Sequence, residues 1–276
     1  MSSIKDRQRA AARARLEKEM AERAEAARKR RQRQAIIGSA LAVVVIAGVA
    51  FWIVSAMGSD DKDPAPTAAA APPGTVACTW TPEDGSGGGK IKDVGTPGPN
   101  APNTGKNTMT VSTSLGDIVA TVDKSKAPCT AAAFEFLAGK KFWDNTKCHR
   151  MTTEGIKVLQ CGDPTATGKG YRETDGTGGP SFRYAEENLP TNANPPYPRG
   201  TIAMAKTQAP GSTGSQFFIV YGDTQLDPSY TVLGTVTKGM EVVDQVAKAG
   251  VDDSNGPGDG HPKKEIVIKT LTMAAA

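Results

Sequence analysis

Two short apolar runs, Thr201-Ile202-Ala203-Met204 and Phe217-Phe218-Ile219-Val220, flank a loop rich in Gly, Ser, Thr and Pro. Runs of this length bounded by turn residues predict strands. Side chains alternate along a strand, so Gln216 and Phe218 share one face of the second run and Phe217 and Ile219 the other. An amide and a phenyl ring on one face fit either an apolar cleft holding one amide or the filled interior of a barrel. Upstream, residues 109–113 and 118–122 alternate around Leu115-Gly116 and predict a hairpin. Ala127-Pro128-Cys129-Thr130 opens a helix that runs through Phe134, Phe136 and Leu137 to a stop at Gly139. Residues 147–151 and 157–161 predict strands, residues 162–180 a long Gly/Thr loop, and residues 231–237 a further strand. A second helix is predicted over 240–247 and a closing strand over 265–271. About eight strands and two helices make residues 107–276 a mainly β domain, expected as a closed eight-stranded antiparallel β-barrel with two capping α-helices.

Before that domain the hydropathy pattern changes twice. No charged residue lies between Arg33 and Asp60, and the 23 residues that open at Ala35 and close at Met57 are almost wholly apolar. At 1.5 Å per residue they match the roughly 30 Å hydrocarbon core of a bilayer. A secretory signal would have a shorter core, about 7–15 residues, with a small-residue cleavage site close behind it. The Ala68–Ala71 run lies well past the span, so an uncleaved transmembrane helix is expected. Residues 58–106 have the composition of a linker, Pro-rich at first and then Gly-rich, which predicts a partly stiff tether. Inside it, Val76-Ala77-Cys78-Thr79-Trp80-Thr81 reads as a short Cys-containing strand pinned to the main domain.

Charge sharpens this picture. Residues 1–34 carry 12 Lys/Arg against 5 Asp/Glu, a net of +7; the whole chain is +4, which leaves −3 for the rest. The basic character therefore belongs to the N-terminal segment and not to a nucleic-acid-binding face. That segment is rich in Ala, Arg, Glu and Lys, has few apolar positions, and is expected to be a solvated or surface-induced helix. No aromatic residue is interleaved for base stacking, whereas a basic juxtamembrane segment gains about 1 kcal/mol per Lys or Arg from anionic lipid. The Arg28-Lys29-Arg30-Arg31 block on one side of the apolar span and Asp60-Asp61-Lys62-Asp63 on the other place the N-terminus in the cytoplasm and residues from Ser59 onward outside.

All four cysteines, Cys78, Cys129, Cys148 and Cys161, follow the apolar span, which favours disulfides in an oxidising compartment; three pairings are open. Cys148 and Cys161 fall on successive predicted strands, consistent with a cross-strand bridge that leaves Cys78 for Cys129. Zinc is disfavoured, because no CxxC spacing occurs and His149 and His261 are the only histidines. No metal or cofactor is expected.

The motifs carry a resemblance. Ile202-Ala203-Met204-Ala205 followed by Gly214-Ser215-Gln216-Phe217-Phe218-Ile219 resembles the central signature of the cyclophilins, the peptidyl-prolyl cis/trans isomerases. His149-Arg150-Met151, Gln160-Cys161-Gly162-Asp163 and Gly176-Thr177-Gly178-Gly179 agree with that family in order, and the likeness runs from about Asn107 to Thr272. It implies an actinobacterial-like, membrane-anchored isomerase acting on proline-containing segments of unfolded, exported or cell-envelope proteins. It also implies Arg150 as the catalytic guanidinium, with Gln160 and Gln216 as the amides that orient it and hold the peptide. Val158, Phe218 and Leu226 would wall the proline pocket, Ala205, Lys206 and Thr207 would follow the substrate backbone, and Tyr230 stands where the family has a His. Lys157 replaces an expected aromatic wall, the Arg150–Gln160 spacing is two residues longer than usual, and Gln225 replaces a Trp. A thinner wall removes on the order of 1–3 kcal/mol of apolar contact, so weak peptide and weak cyclosporin binding would follow. A second function class fits the same residues: a tethered, weakly catalytic or non-catalytic module that binds proline peptides as a holdase.

Overall fold

The computed structural model of the protein describes residues 71–276 except 87, 223 and 225. The basic segment 1–34, the expected transmembrane helix 35–57 and Gln225 lie outside the described residues; among those described, no helix is long and apolar enough to cross a membrane.

Sixteen strands and two helices are described. In chain order they are β1 (Thr75–Ala77), β2 (Thr81–Pro82), β3 (Ile91–Lys92), β4 (Asn100–Pro102), β5 (Lys106–Thr113), β6 (Gly116–Asp123), α1 (Pro128–Gly139), β7 (Thr146–Lys147), β8 (Arg150–Thr152) and β9 (Val158–Cys161). After these come β10 (Gly179–Pro180), β11 (Phe182–Arg183), β12 (Thr201–Met204), β13 (Phe217–Val220), β14 (Val232–Lys238), α2 (Met240–Ala249), β15 (Asp259–Gly260) and β16 (Val267–Ala275).

The expected closed barrel of eight strands is corrected in detail. Ten antiparallel strands form one curled sheet in the order β15-β8-β9-β13-β12-β14-β6-β5-β16-β7. The end strand β7 and β8, next to the other end, lie on one bent stretch of chain: β7 pairs with β16, and Cys148 donates to the Ile266 carbonyl at 3.2 Å. Immediately afterwards His149 donates to Gln160 at 3.0 Å and β8 pairs with β9. The strand expected over 147–151 therefore breaks in two, because its halves hydrogen-bond to different neighbours.

Sequence pattern and packing agree along the hairpin. β5 and β6 pair from Lys106↔Asp123 to Thr113↔Gly116, closing on Ser114-Leu115. Every second residue faces inward, Met109 and Val111 from β5, Ile118, Ala120 and Val122 from β6. Helix α1 starts with Pro128 in its first turn, where a missing N–H costs nothing. Its N-cap, Ala127, supplies no side-chain acceptor; Glu187 does, taking the Thr130 N–H and hydroxyl at 2.5 and 2.7 Å from 57 residues away.

Where one short strand was expected in the linker, four occur. Two disulfides, Cys78–Cys129 and Cys148–Cys161, hold this arrangement and leave no free cysteine among the described residues. The first ties the segment before β5 to α1. Each bridge typically contributes about 2–4 kcal/mol, so reduction should lower the thermal midpoint. Mass spectrometry of protein isolated under non-reducing conditions should find no alkylatable thiol; four would refute the bridges.

Candidate active site

The sheet register builds the site. Arg150 on β8 pairs with Gln160 on β9, Gln160 with Phe218 on β13, and Phe218 with Ala203 on β12. Directly paired residues share a face, so one row crosses four strands: guanidinium, amide, phenyl ring, methyl. The alternate positions, Leu159, Phe217, Ile219 and Met204, enter the main core. The pairing of Gln216 with Phe218 against Phe217 with Ile219 that alternation predicted is thus observed.

On the row's apolar side Val158, Tyr197, Ala203, Phe218 and Val220 form a second, smaller buried cluster, with Ile156, Ala205, Leu226, Tyr230 and Val232 packed on it. Phe218 meets Tyr230 edge-on at 5.7 Å and Tyr197 at 6.2 Å. Tyr197 is fully buried; its hydroxyl donates to the Tyr230 carbonyl at 3.0 Å and accepts from the Tyr230 N–H at 2.9 Å, which positions Tyr230. Lys157 is exposed, one residue out of phase with Val158 along the strand, and is no part of the wall. Tyr197 belongs to the cluster and Ile156 packs on it, two contributions to the apolar wall that the sequence reading did not name.

On the polar side, seven residues are joined by hydrogen bonds. Asp259 takes two bonds from Arg150, from Nε at 2.8 Å and from Nη2 at 2.6 Å, while Arg150 Nη1 donates to Gln160 Oε1 at 3.2 Å. Gln160 Nε2 donates to Gln216 Oε1 at 3.0 Å, and Gln216 Nε2 to the Gly176 and Gly178 carbonyls at 2.8 and 3.0 Å. The amide N–H groups of those two glycines bond the buried carboxylate of Asp163, at 2.6 and 3.1 Å. Each amide thus has a defined orientation. The two bonds from Arg150 hold the Asp259 carboxyl below the usual carboxylate range, and Asp259 in turn raises the Arg150 guanidinium. Gly162, which follows the Gln160 strand, has φ +99; a Cβ there would lie 2.7 Å from Gln216 Cα and also collide with the Ser215 carbonyl. Only glycine lets the two amide-bearing strands approach this closely.

Lys206 reaches Glu186 at 3.5 Å and its ammonium lies 5.9 Å from the Tyr230 ring; Thr207 bonds Ser212 at 2.9 Å. Ala205 donates its N–H to Gln216 O at 2.9 Å. All the site residues named from the sequence therefore gather on one face of the sheet. Sequence reasoning missed Asp259, which lies 109 residues from Arg150 and has no local signal, and Ile156. It also missed Tyr197, although a tyrosine amid Asn194-Pro195-Pro196-Tyr197-Pro198 is a usable hint of a pinned loop.

Comparison with known proteins agrees with this geometry. The family model described as "Cyclophilin type peptidyl-prolyl cis-trans isomerase/CLD" matches residues 108–273. The "Probable peptidyl-prolyl cis-trans isomerase B" of Mycobacterium leprae is 42% identical over 175 residues, 59% of this chain and 55% of that protein. That of Mycobacterium tuberculosis is 43% identical over 173 residues, covering 58% and 52%. The chain thus spans about half the length of these relatives. The human "Peptidyl-prolyl cis-trans isomerase-like 3" is 34% identical over 173 residues, 60% of this chain and 96% of that one. A crystal structure of a Cryptosporidium parvum cyclophilin type isomerase superimposes with a TM-score of 0.51 at 27% identity, covering 62% of this chain and 99% of that chain.

Proposed function

The chain belongs to the cyclophilin-type peptidyl-prolyl cis-trans isomerase family, and we propose that it catalyses cis/trans rotation of X–Pro bonds in exported or cell-envelope proteins. The observation that carries this reading is the row Arg150–Gln160–Phe218, which sets a bound guanidinium beside an apolar cluster on one face.

Amide resonance makes the rotation barrier roughly 18–20 kcal/mol. As the bond twists, the proline nitrogen loses conjugation and becomes a hydrogen-bond acceptor, so a fixed donor stabilises the twisted state more than either planar one. Arg150 is always charged and has five N–H groups; three are taken by Asp259 and Gln160, which leaves two for a peptide. Phe218, Val158 and Leu226 would hold the ring still while the preceding carbonyl turns. No covalent step or cofactor enters.

A specific observation favours a second reading. Asp259 occupies one whole edge of the guanidinium, which lowers its appetite for a further acceptor and is compatible with a proline-binding holdase of low turnover. A proline isomerisation assay on the full chain in detergent micelles tests the primary reading: a rate above the uncatalysed one is expected, and its absence would remove the isomerase.

The same reading includes a single-pass anchor at 35–57, the N-terminus in the cytoplasm and the isomerase domain outside, supported by the charge asymmetry about the span. A membrane-impermeant thiol reagent should reach a cysteine placed at Ser86 in intact cells but not one at Ser3. Labelling at Ser3→Cys from outside would reverse the topology. Weak cyclosporin binding belongs to the same proposal.

A further inference from the structure

The loop that follows β9, residues 162–180, is pinned to β7 by buried charges. The side chains of Lys147 on β7 and Asp175 in the loop are 1% and 0% exposed, with ammonium and carboxylate 3.8 Å apart. Lys147 also donates to the Gly170 carbonyl, and its backbone N–H to the Ala166 carbonyl at 2.7 Å. Arg172 closes over the same carboxylate, with Nε at 2.9 Å and its backbone N–H at 3.1 Å. A buried ion pair repays its lost hydration only when further bonds satisfy both partners, and here they do. The result is a fixed place for Tyr171, whose ring lies 4.8 Å from the Lys147 ammonium.

Tyr171 stacks flat on His261, with centroids 4.4 Å apart and planes 3° from parallel. Its hydroxyl is buried and bonds nothing among the described residues, so the ring alone makes the contact. His261 follows β15 directly, and its Nδ1 lies 2.6 Å from the carbonyl of His149, the residue before Arg150. β15 is only Asp259-Gly260, preceded by Gly256-Pro257-Gly258 and paired with β8 at two positions. A strand so short at a sheet edge has little of its own to fix it. Asp259 nevertheless holds Arg150 through two bonds, at 2.8 and 2.6 Å.

We infer that Tyr171 is a positioning residue for the guanidinium. Stacked on His261, its ring fixes β15 and with it Asp259, and so sets the direction in which Arg150 presents its free N–H groups. The inference rests on the isomerase reading above. Tyr171 lies outside the apolar cluster and acts only through His261 and Asp259. A misdirected donor loses the twisted state before it loses the planar one, because only the twisted nitrogen accepts from it.

The test compares Tyr171→Phe, which keeps the ring, with Tyr171→Leu, which removes the stack, in the full chain in detergent micelles. Tyr171→Leu should lower kcat/KM for a proline peptide roughly tenfold to a hundredfold and change its equilibrium Kd less than about twofold. Tyr171→Phe should retain at least about half the wild-type value, since the lost hydroxyl has no partner. In an Asp259→Ala background Tyr171→Leu should have almost no further effect, because the link it acts through is gone. His261→Asn can still donate to the His149 carbonyl but offers no ring; it should repeat the Tyr171→Leu pattern, and it serves if that variant does not fold. A readout independent of turnover is the Nε–H of Arg150, assigned by its absence in Arg150→Lys. It should exchange with solvent about tenfold faster in Tyr171→Leu than in the wild type or Tyr171→Phe. Losses that multiply in the Asp259→Ala background would mark a merely structural role and overturn the inference, as would wild-type turnover and exchange in Tyr171→Leu. A wild-type chain without turnover would remove the isomerase and leave the exchange rates to decide whether the stack positions Arg150.

Discussion

Arg150→Ala is expected to lower kcat/KM for a proline peptide by about 30- to 1,000-fold, because a charge-assisted bond formed chiefly in the twisted state is worth roughly 2–4 kcal/mol. Ground-state binding of the same peptide should weaken far less. Arg150→Lys should rescue little: an ammonium cannot hold Asp259 through two parallel bonds, keep Gln160 at 3.2 Å and still face the peptide. Phe218→Ala should instead weaken ground-state binding as well, since the ring packs against Tyr197 and Tyr230 around a pocket that grips proline in every conformation. The comparison holds for variants whose circular dichroism matches the wild type. An Arg150→Ala protein that isomerises at the wild-type rate would defeat the catalytic assignment and favour the holdase.

Acid should destabilise the domain through His149. Its side chain is 2% exposed, and neither ring nitrogen has a partner among the described residues. Burial pushes it from 6.5 down to about 4, partly opposed by the charges of Asp163 and Asp175 and reinforced by His261 and Arg150. The sign follows from proton counting. Between about pH 6.5 and 4 the unfolded chain takes up a proton that the native state refuses, so stability falls as pH falls. The full stabilisation is present above pH 6.5, and about 3 kcal/mol of it is lost once pH reaches about 4. For a domain of this size that is a drop of roughly 6–12 °C in thermal midpoint beyond what the carboxylates contribute. His149→Phe removes the titrating group while keeping a planar ring, and its midpoint should decline less steeply over that interval. Parallel profiles for the two proteins would show that His149 is not the cause. Asp259, held acidic by Arg150, should keep the guanidinium paired through the same range.

Particular residues show how far the chain can be read unaided. The alternation at Gln216-Phe217-Phe218-Ile219 was sufficient to sort the two faces of β13, because a strand of period two leaves no other choice. Pro128 marked the start of α1 for an equally local reason. The cysteine pairing consistent with the predicted strands, one of three left open, is the one found. The resemblance carried over Arg150, Gln160 and Gln216, and one row of the sheet brings the first two to Phe218.

What local pattern decides is which way a side chain points; what it leaves open is which distant segment meets it. Asp259 reaches Arg150, Glu187 caps α1 and Tyr197 props Tyr230 across 109, 57 and 33 residues respectively. None of these contacts has a periodicity or a spacing that announces it, because each depends on how loops cross the finished sheet. The segment before β5 is the fullest case. Its Pro/Gly composition is that of a tether, and it is ordered only because Trp80 finds Phe182 and Tyr184, and Cys78 finds Cys129, on a surface assembled from other parts of the chain. Composition sets the entropy a segment must lose, and tertiary contacts alone decide whether that loss is repaid.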